Sequence, residues 1–144
     1  MQHTCFEAPF SLVRKTTMGE NRIRVYFCRN AVGGTIPAAL SELEHRPDVA
    51  LEAVPCAGRI DPRYLLKAFE AGARAVCILA CPVGCCKSME GNLRAVARVH
   101  GVQELLCEAG ISRNSLRIFL PRESGEAALN AAAESISKFA NEVT

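Results

Sequence analysis

Four continuous apolar runs alternate along the chain with four segments of helical periodicity. The runs are residues 22–28, 49–56, 75–81 and 116–120. Apolar residues fill these runs without polar interruptions at every second position, which is typical of strands buried on both faces of a sheet. Strands that alternate with helices of this length form parallel βαβ units with right-handed crossovers. We therefore expect an α/β domain, a small three-layer domain of the Rossmann or flavodoxin type with a four-stranded, mostly parallel sheet.

Capping residues predict where the helices begin. The first helix is expected near Thr35, and the second near Asp61, with Pro62 at its first helical position. The third is expected over about residues 88–108 and the fourth over about residues 124–141. We expect the strand order 2-1-3-4, because this order places the ends of the first and third strands together at the switch point of the sheet.

The composition fits one domain and gives no sign of a nucleic-acid-binding face. Of the 144 residues, 49% are hydrophobic, which is enough for a core that needs no disulfide or metal. The 17 Lys and Arg nearly balance the 15 Asp and Glu, and aromatic residues make up only 6%. The longest run without charged or strongly polar residues, residues 75–86, is too short to cross a bilayer.

The first residues carry no basic segment followed by an apolar segment of the kind that directs secretion. We therefore expect a cytoplasmic protein without membrane insertion. Residues 1–21 are interpreted as an N-terminal extension, and residues 22–144 as a single α/β domain.

Eight cysteines are the unusual part of the composition, and three of them close predicted strands. Cys28, Cys56 and Cys81 end the first, second and third strands. In a parallel sheet these residues share the carboxyl edge, where open α/β folds bind their ligands. Neighbouring strands lie about 4.8 Å apart, so we expect the three thiols, with Cys85 or Cys86 from the following loop, to surround one small inorganic centre. Four thiolates suit a [2Fe–2S] cluster, a [4Fe–4S] cluster or a zinc ion.

Three further cysteines lie outside this pattern. Cys77 falls inside a predicted strand and Cys107 inside a predicted helix. Free cysteine is commonly buried as a small apolar residue, so we expect both to be core residues. Cys5 lies alone in the N-terminal extension, and we assign no function to it.

The motifs around the cysteines resemble those of a known protein family. The chain reads VPCAGRIDPRYLLKAFEAGA at 54–73, CPVGCC at 81–86 and EGNLR at 90–94. This order of a Cys-x-Gly-Arg-x-Asp-Pro element, a loop with two cysteines five positions apart and a Gly-Asn pair resembles the delta, iron–sulfur subunit of methyl-viologen-reducing (F420-non-reducing) hydrogenase. The resemblance covers about residues 23–121.

The resemblance implies an electron-transfer subunit that binds one [2Fe–2S] cluster. Such a subunit relays electrons between a hydrogenase or formate dehydrogenase and the flavoprotein subunit of heterodisulfide reductase. Related domains accompany heterodisulfide-reductase-like complexes, including the quinone-interacting oxidoreductase of sulfate reducers. We therefore expect an electron carrier rather than an enzyme with a substrate of its own.

The family's cysteines map onto four positions here: Cys28, Cys56, Cys81 and Cys86. The chain departs from the family's pattern at four others. Ala31 stands at the second cysteine of the family's first motif, and Pro82 and Lys87 stand at positions where the family usually has histidines. Cys85 replaces an acidic residue, and it is a candidate to complete the set of ligands.

Other functions are compatible with the same cysteines. Cys81, Cys85 and Cys86 could form a thiol–disulfide relay, because a loop that leads into a helix N-terminus lowers the pKa of a thiol. A cofactor-free assembly or interaction subunit is a second alternative, which the departure at Ala31 favours. Structural zinc also fits the cysteine spacing.

Overall fold

The computed structural model describes residues 23–33, 36–86 and 89–143. The strands are β1 (Ile23–Cys28), β2 (Val49–Val54), β3 (Ala75–Leu79) and β4 (Leu116–Phe119). The helices are α1 (Arg29–Val32), α2 (Ala38–Glu44), α3 (Pro62–Glu70), α4 (Gly91–Glu108) and α5 (Glu126–Val143). Two short 3-10 turns lie at Ala57–Arg59 and Arg113–Ser115.

The four strands form one sheet, in which every pairing is parallel and the order is β2-β1-β3-β4. The predicted fold class and strand order are confirmed. Cys28 at the end of β1 is level with Val54 of β2, and Phe27 is level with Leu79 of β3. The chain therefore leaves β1 and β3 side by side at the carboxyl edge, which is where ligands bind in open α/β folds.

Helices cover both faces of the sheet, because neighbouring residues of a buried strand point into opposite cores. Val25 of β1 packs in one core with Leu40 of α2 and Ile136 of α5. Tyr26, the next residue, packs in the other core with Leu65 of α3 and Val99 of α4, among others. The expected three-layer arrangement is confirmed, and the helices leave the carboxyl edge of the sheet to the loops.

The second predicted helix begins where its capping residues place it. The Asp61 carboxylate accepts a hydrogen bond of 2.8 Å from the backbone N–H of Arg63, and Pro62 is the first helical residue. The third helix begins later than predicted, at Gly91, and the fourth spans Glu126–Val143. Thr35, Ser88 and the extension at residues 1–21 lie outside the described residues. No helix in the described ranges is both long enough and apolar enough to cross a membrane.

Candidate functional site

Cys28 and Cys81 meet at the carboxyl edge of the sheet. Cys28 is the last residue of β1, Cys81 follows the end of the adjacent β3, and both side chains are buried. Their Sγ atoms are 3.7 Å apart. Two thiolates bound at about 2.3 Å to one tetrahedral metal are about 3.8 Å apart, so this pair has the spacing that a tetrahedral metal requires.

Cys86 adds a third thiol next to this pair. The Cys86 side chain is half-buried and hydrogen-bonds with the Cys81 thiol. Burial, together with the neighbouring thiols of Cys28 and Cys86, raises the pKa of Cys81 to about 12. Anionic sulfur at Cys81 is therefore unfavourable unless a positive charge compensates it, and a bound metal centre supplies such a charge.

Cys56 lies on the loop after β2, where its side chain turns toward its own backbone. The thiol is buried, and Sγ accepts a hydrogen bond of 3.4 Å from the N–H of Gly58. The loop touches the thiol pair through Pro55, whose carbonyl oxygen lies 3.8 Å from Cys28 Sγ. Cys56 Sγ makes no hydrogen bond with another thiol in the described part of the chain.

Cys85 is exposed and points away from the pair toward the loop after β4. Ser124 Oγ donates a hydrogen bond of 3.1 Å to Cys85 Sγ. Within residues 23–33, 36–86 and 89–143, no three His, Cys, Asp or Glu side chains are arranged to hold a single metal ion. The structure thus brings together Cys28, Cys81 and Cys86, and it leaves Cys56 and Cys85 on flanking positions.

The N-terminal half of α4 holds both cysteine loops from one side. The Asn92 side chain donates hydrogen bonds of 2.9 Å to the carbonyl oxygens of Cys81 and Pro82. The Arg98 guanidinium donates to the carbonyl oxygens of Gly58 and Ile60 in the loop that carries Cys56. Both loops are therefore fixed through their backbones by the same helix.

Comparison with known protein families identifies the relationship of this chain. The family described as methyl-viologen-reducing hydrogenase, delta subunit, matches residues 15–144. The chain belongs to this family.

Individual relatives of this delta-subunit chain carry consistent names. It is 36% identical over 91 residues to the iron–sulfur subunit of the vhc F420-non-reducing hydrogenase of Methanococcus voltae, which is 62% of this chain and 63% of the relative. It is 32% identical over 103 residues to the iron–sulfur subunit of the vhu F420-non-reducing hydrogenase of Methanococcus maripaludis, which is 71% of this chain and 77% of the relative. The first alignment thus spans less than two thirds of the relative's length.

A more distant match lies within a much longer protein. The delta-subunit chain is 25% identical over 114 residues to a component of the ferredoxin:CoB-CoM heterodisulfide reductase of Methanosarcina mazei. The aligned part is 78% of this chain and 14% of that protein. The same kind of domain therefore has a counterpart inside a protein named for heterodisulfide reduction.

The cysteines outside the site have different environments in this delta-subunit chain. Cys77 is fully buried inside β3, as expected. The prediction that Cys107 is a core residue is wrong, because its side chain is exposed. Cys107 follows directly after Leu106, which lies on the buried face of α4, and one residue further along a helix is rotated by about 100°. Cys5 lies outside the described residues.

Sequence reasoning gave no role to Asn92, although a signal for it was present. The buried positions Ala95, Val99, Val102 and Leu106 recur at helical spacing, and Asn92 continues that series toward the start of α4. A lone amide on an otherwise apolar helix face indicates that a buried polar group needs a partner.

Proposed function

We propose that this chain is an electron-transfer subunit that binds a [2Fe–2S] cluster. The proposed ligands are Cys28, Cys56, Cys81 and Cys86, with Cys85 as the alternative fourth thiolate. The 3.7 Å separation of Cys28 Sγ and Cys81 Sγ carries the proposal, because it matches two thiolates on one iron. A [2Fe–2S] cluster accepts and releases one electron at a time.

The donor set fits this cofactor in number and chemistry. Each iron of a [2Fe–2S] cluster takes two cysteine thiolates, so one pair at metal spacing accounts for one iron. Cys86, which hydrogen-bonds with the Cys81 thiol, and Cys56, on the adjacent loop, are the candidates for the second. Ala31 has no ligating atom, and Cys85 supplies an additional thiol on the loop that contains Cys86.

The protein's own contribution is to shield the sulfurs and to give them hydrogen bonds. Cys28 and Cys81 are 1% and 3% exposed, so their Sγ atoms are shielded from water. The Gly58 N–H already donates to Cys56 Sγ. Burial and N–H donors to sulfur are two of the means by which a protein sets the reduction potential of such a cluster.

The proposed partners follow from the family and from the longer relative. We place a heterodisulfide-reductase-like flavoprotein subunit on one side of the electron path. A hydrogenase, a formate dehydrogenase or a quinone-interacting oxidoreductase complex lies on the other. The match within a component of a heterodisulfide reductase supports the first of these partners. We place the assembly in the cytoplasm, where thiols stay reduced and available for metal binding.

A thiol–disulfide relay is less well supported by the geometry. A relay needs a thiol that ionises readily, whereas burial and neighbouring thiols raise the pKa of Cys81 to about 12. In a metal-free chain Cys81 would therefore be a poor nucleophile at neutral pH.

Anaerobic purification followed by quantification of iron, acid-labile sulfide and zinc tests the proposal. We expect about two irons and two sulfides per chain, with a visible absorption spectrum. Zinc alone would assign a structural metal site. A folded chain with neither metal would leave assembly or interaction, without a cofactor, as the function.

Serine substitutions then test the ligands one at a time. Cys28→Ser and Cys81→Ser are each expected to abolish the visible absorption, because each removes one thiolate from the close pair. Cys107→Ser is the matched control, since this thiol is exposed on α4. A wild-type spectrum in Cys81→Ser would remove Cys81 from the site.

A further inference from the structure

Asn92 is the one residue of amide or charged type that is buried among the described residues. It is 1% exposed and lies in the first turn of α4. Burial of an amide group costs free energy unless its donors and its acceptor are satisfied. The position therefore needs partners, and these partners identify its role.

The Asn92 amide satisfies all of its hydrogen-bonding atoms at the loop that carries Cys81. Nδ2 donates to two consecutive carbonyl oxygens, those of Cys81 and Pro82, at 2.9 Å each. Oδ1 accepts a bond of 2.8 Å from the N–H of Leu93. One side chain thus fixes the orientation of the peptide group that follows the Cys81 thiol.

This support lies where the sheet no longer provides any. β3 ends at Leu79, and the N–H of Ala80 still bonds to the carbonyl of Phe119 at 3.0 Å. Beyond that point the chain leaves the sheet, and Asn92 takes the place of a neighbouring strand for the carbonyl of Cys81. The Cys81 thiol lies 3.7 Å from that of Cys28 at the same point.

The geometry points to Asn92 as a positioning residue that holds the Cys81 loop so that the Cys81 thiol faces that of Cys28 at metal-binding distance. Its significance for a cofactor rests on the proposed function. Asn92 acts through the backbone, since its bonds go to carbonyl oxygens and not to sulfur. Removal of its two donors is expected to let Cys81 move away from Cys28 while the sheet below remains intact.

The same helix offers a matched control. Gln103 Nε2, toward the other end of α4, also donates to two backbone carbonyls, those of Leu116 at 2.7 Å and Arg113 at 3.3 Å. These acceptors lie at the start of β4, on the edge of the sheet opposite the cysteines. Asn92→Asp and Gln103→Glu each replace an amide by a carboxyl of the same shape, and each loses the donors.

The first test uses the metal-free full-length chain with Cys85 and Cys86 replaced by serine. Equilibration with oxidised and reduced glutathione converts two protein thiols and one oxidised glutathione into one protein disulfide and two reduced glutathiones. Peptide mapping of the Cys28–Cys81 disulfide then gives the effective concentration of the two thiols. Asn92→Asp is expected to lower it by about tenfold, which is about 1.4 kcal/mol, and Gln103→Glu is expected to leave it unchanged.

The second test uses the iron-loaded chain with all eight cysteines. Asn92→Asp is expected to change the electron paramagnetic resonance spectrum of the reduced protein, and Gln103→Glu is expected to keep it. Asn92→Ala is measured in parallel, so that a misfolded Asn92→Asp chain, detected by circular dichroism, does not stop either test.

The outcomes separate this inference from the proposed function. Unchanged thiol pairing in the Asn92 variants, or an equal loss in Gln103→Glu, would overturn the role of Asn92. An unchanged resonance spectrum in an iron-loaded Asn92 variant would overturn it as well. If the unsubstituted chain takes up no iron, the proposed function fails, and the glutathione measurement alone decides whether Asn92 positions Cys81.

Discussion

The backbones of Gly58 and Gly91 lie in direct contact. A β-carbon built on Gly58 would lie 2.6 Å from the Cα and the carbonyl oxygen of Gly91, closer than such atoms approach in proteins. The 3-10 turn after Cys56 therefore packs against the first residue of α4 with no room for a side chain. This contact fixes how near the Cys56 loop lies to the helix that also holds the Cys81 loop.

Gly58→Ala is expected to destabilise the fold and to displace the Cys56 loop. The added methyl group meets backbone atoms of Gly91, which cannot rotate away, and overpacking of this kind costs about 1–3 kcal/mol. Urea denaturation of the metal-free chain measures the loss. Gly101→Ala is the control, because Gly101 lies in the middle of α4 with no atom within 4 Å of the added carbon. There alanine is expected to stabilise the helix by up to about 1 kcal/mol.

Arg98→Met is expected to weaken the attachment of the Cys56 loop to α4. The substitution keeps much of the aliphatic stem and removes the donors to the carbonyls of Gly58 and Ile60. Because Arg98 is only half-buried, we expect a loss of about 1–2 kcal/mol in the free energy of unfolding. Arg94→Met, one turn earlier on the exposed side of α4, is expected to change stability by less than about 0.5 kcal/mol. Equal losses in the two variants would contradict a specific role for Arg98.

In the metal-free chain, Cys81 is expected to react slowly with iodoacetamide at pH 8. Burial and the thiols of Cys28 and Cys86 raise the pKa of Cys81 to about 12. The raised pKa keeps the thiol protonated at pH 8, so only about one molecule in ten thousand carries the reactive thiolate. The rate should rise about tenfold per pH unit from pH 8 to pH 11. Mass spectrometry of the alkylated peptides measures it, with the exposed Cys107 as internal reference. Rapid alkylation at pH 8 without a pH dependence would refute the buried thiol pair.

Cys77→Ser and Cys107→Ser are expected to separate a core cysteine from a surface one. Cys77 is fully buried in β3, so a hydroxyl group there loses its hydrogen bonds with water and costs about 1–3 kcal/mol. Cys107 is exposed, and its serine variant should lie within about 0.5 kcal/mol of the parent. Thermal unfolding measures both. Folded samples of each should retain the parent's iron content, and loss of iron in either would add that cysteine to the site.

Much of the fold could be predicted because each strand is buried on both faces. Continuous apolar runs then mark the strands, and the Asp61-Pro62 pair marks the start of α3. The strand order follows from the short parallel connections. The helix α1 was not predicted, since its four residues are too few for helical periodicity and no side chain caps its start. Cys107 was misplaced because residue type alone does not tell which face of a helix a cysteine occupies.

The candidate site was only partly predictable. The proximity of Cys28 and Cys81 follows from the adjacency of β1 and β3, which the sequence indicates. The direction of the Cys56 thiol does not, because it depends on a 3-10 turn whose first N–H available to a side chain belongs to Gly58. The clasp by Asn92 depends on where a loop passes over a helix, and sequence periodicity reports only that the side chain is buried.

The pairing of β1 with β3 also sets the order of events in the life of the chain. Cys28 and Cys81 are 53 positions apart, and only this strand pairing brings their thiols together. A nascent polypeptide therefore lacks the thiol pair until β3 has left the ribosome and docked beside β1. Any machinery that inserts a metal centre at this pair must act on a finished sheet, so maturation follows folding and is not required to start it.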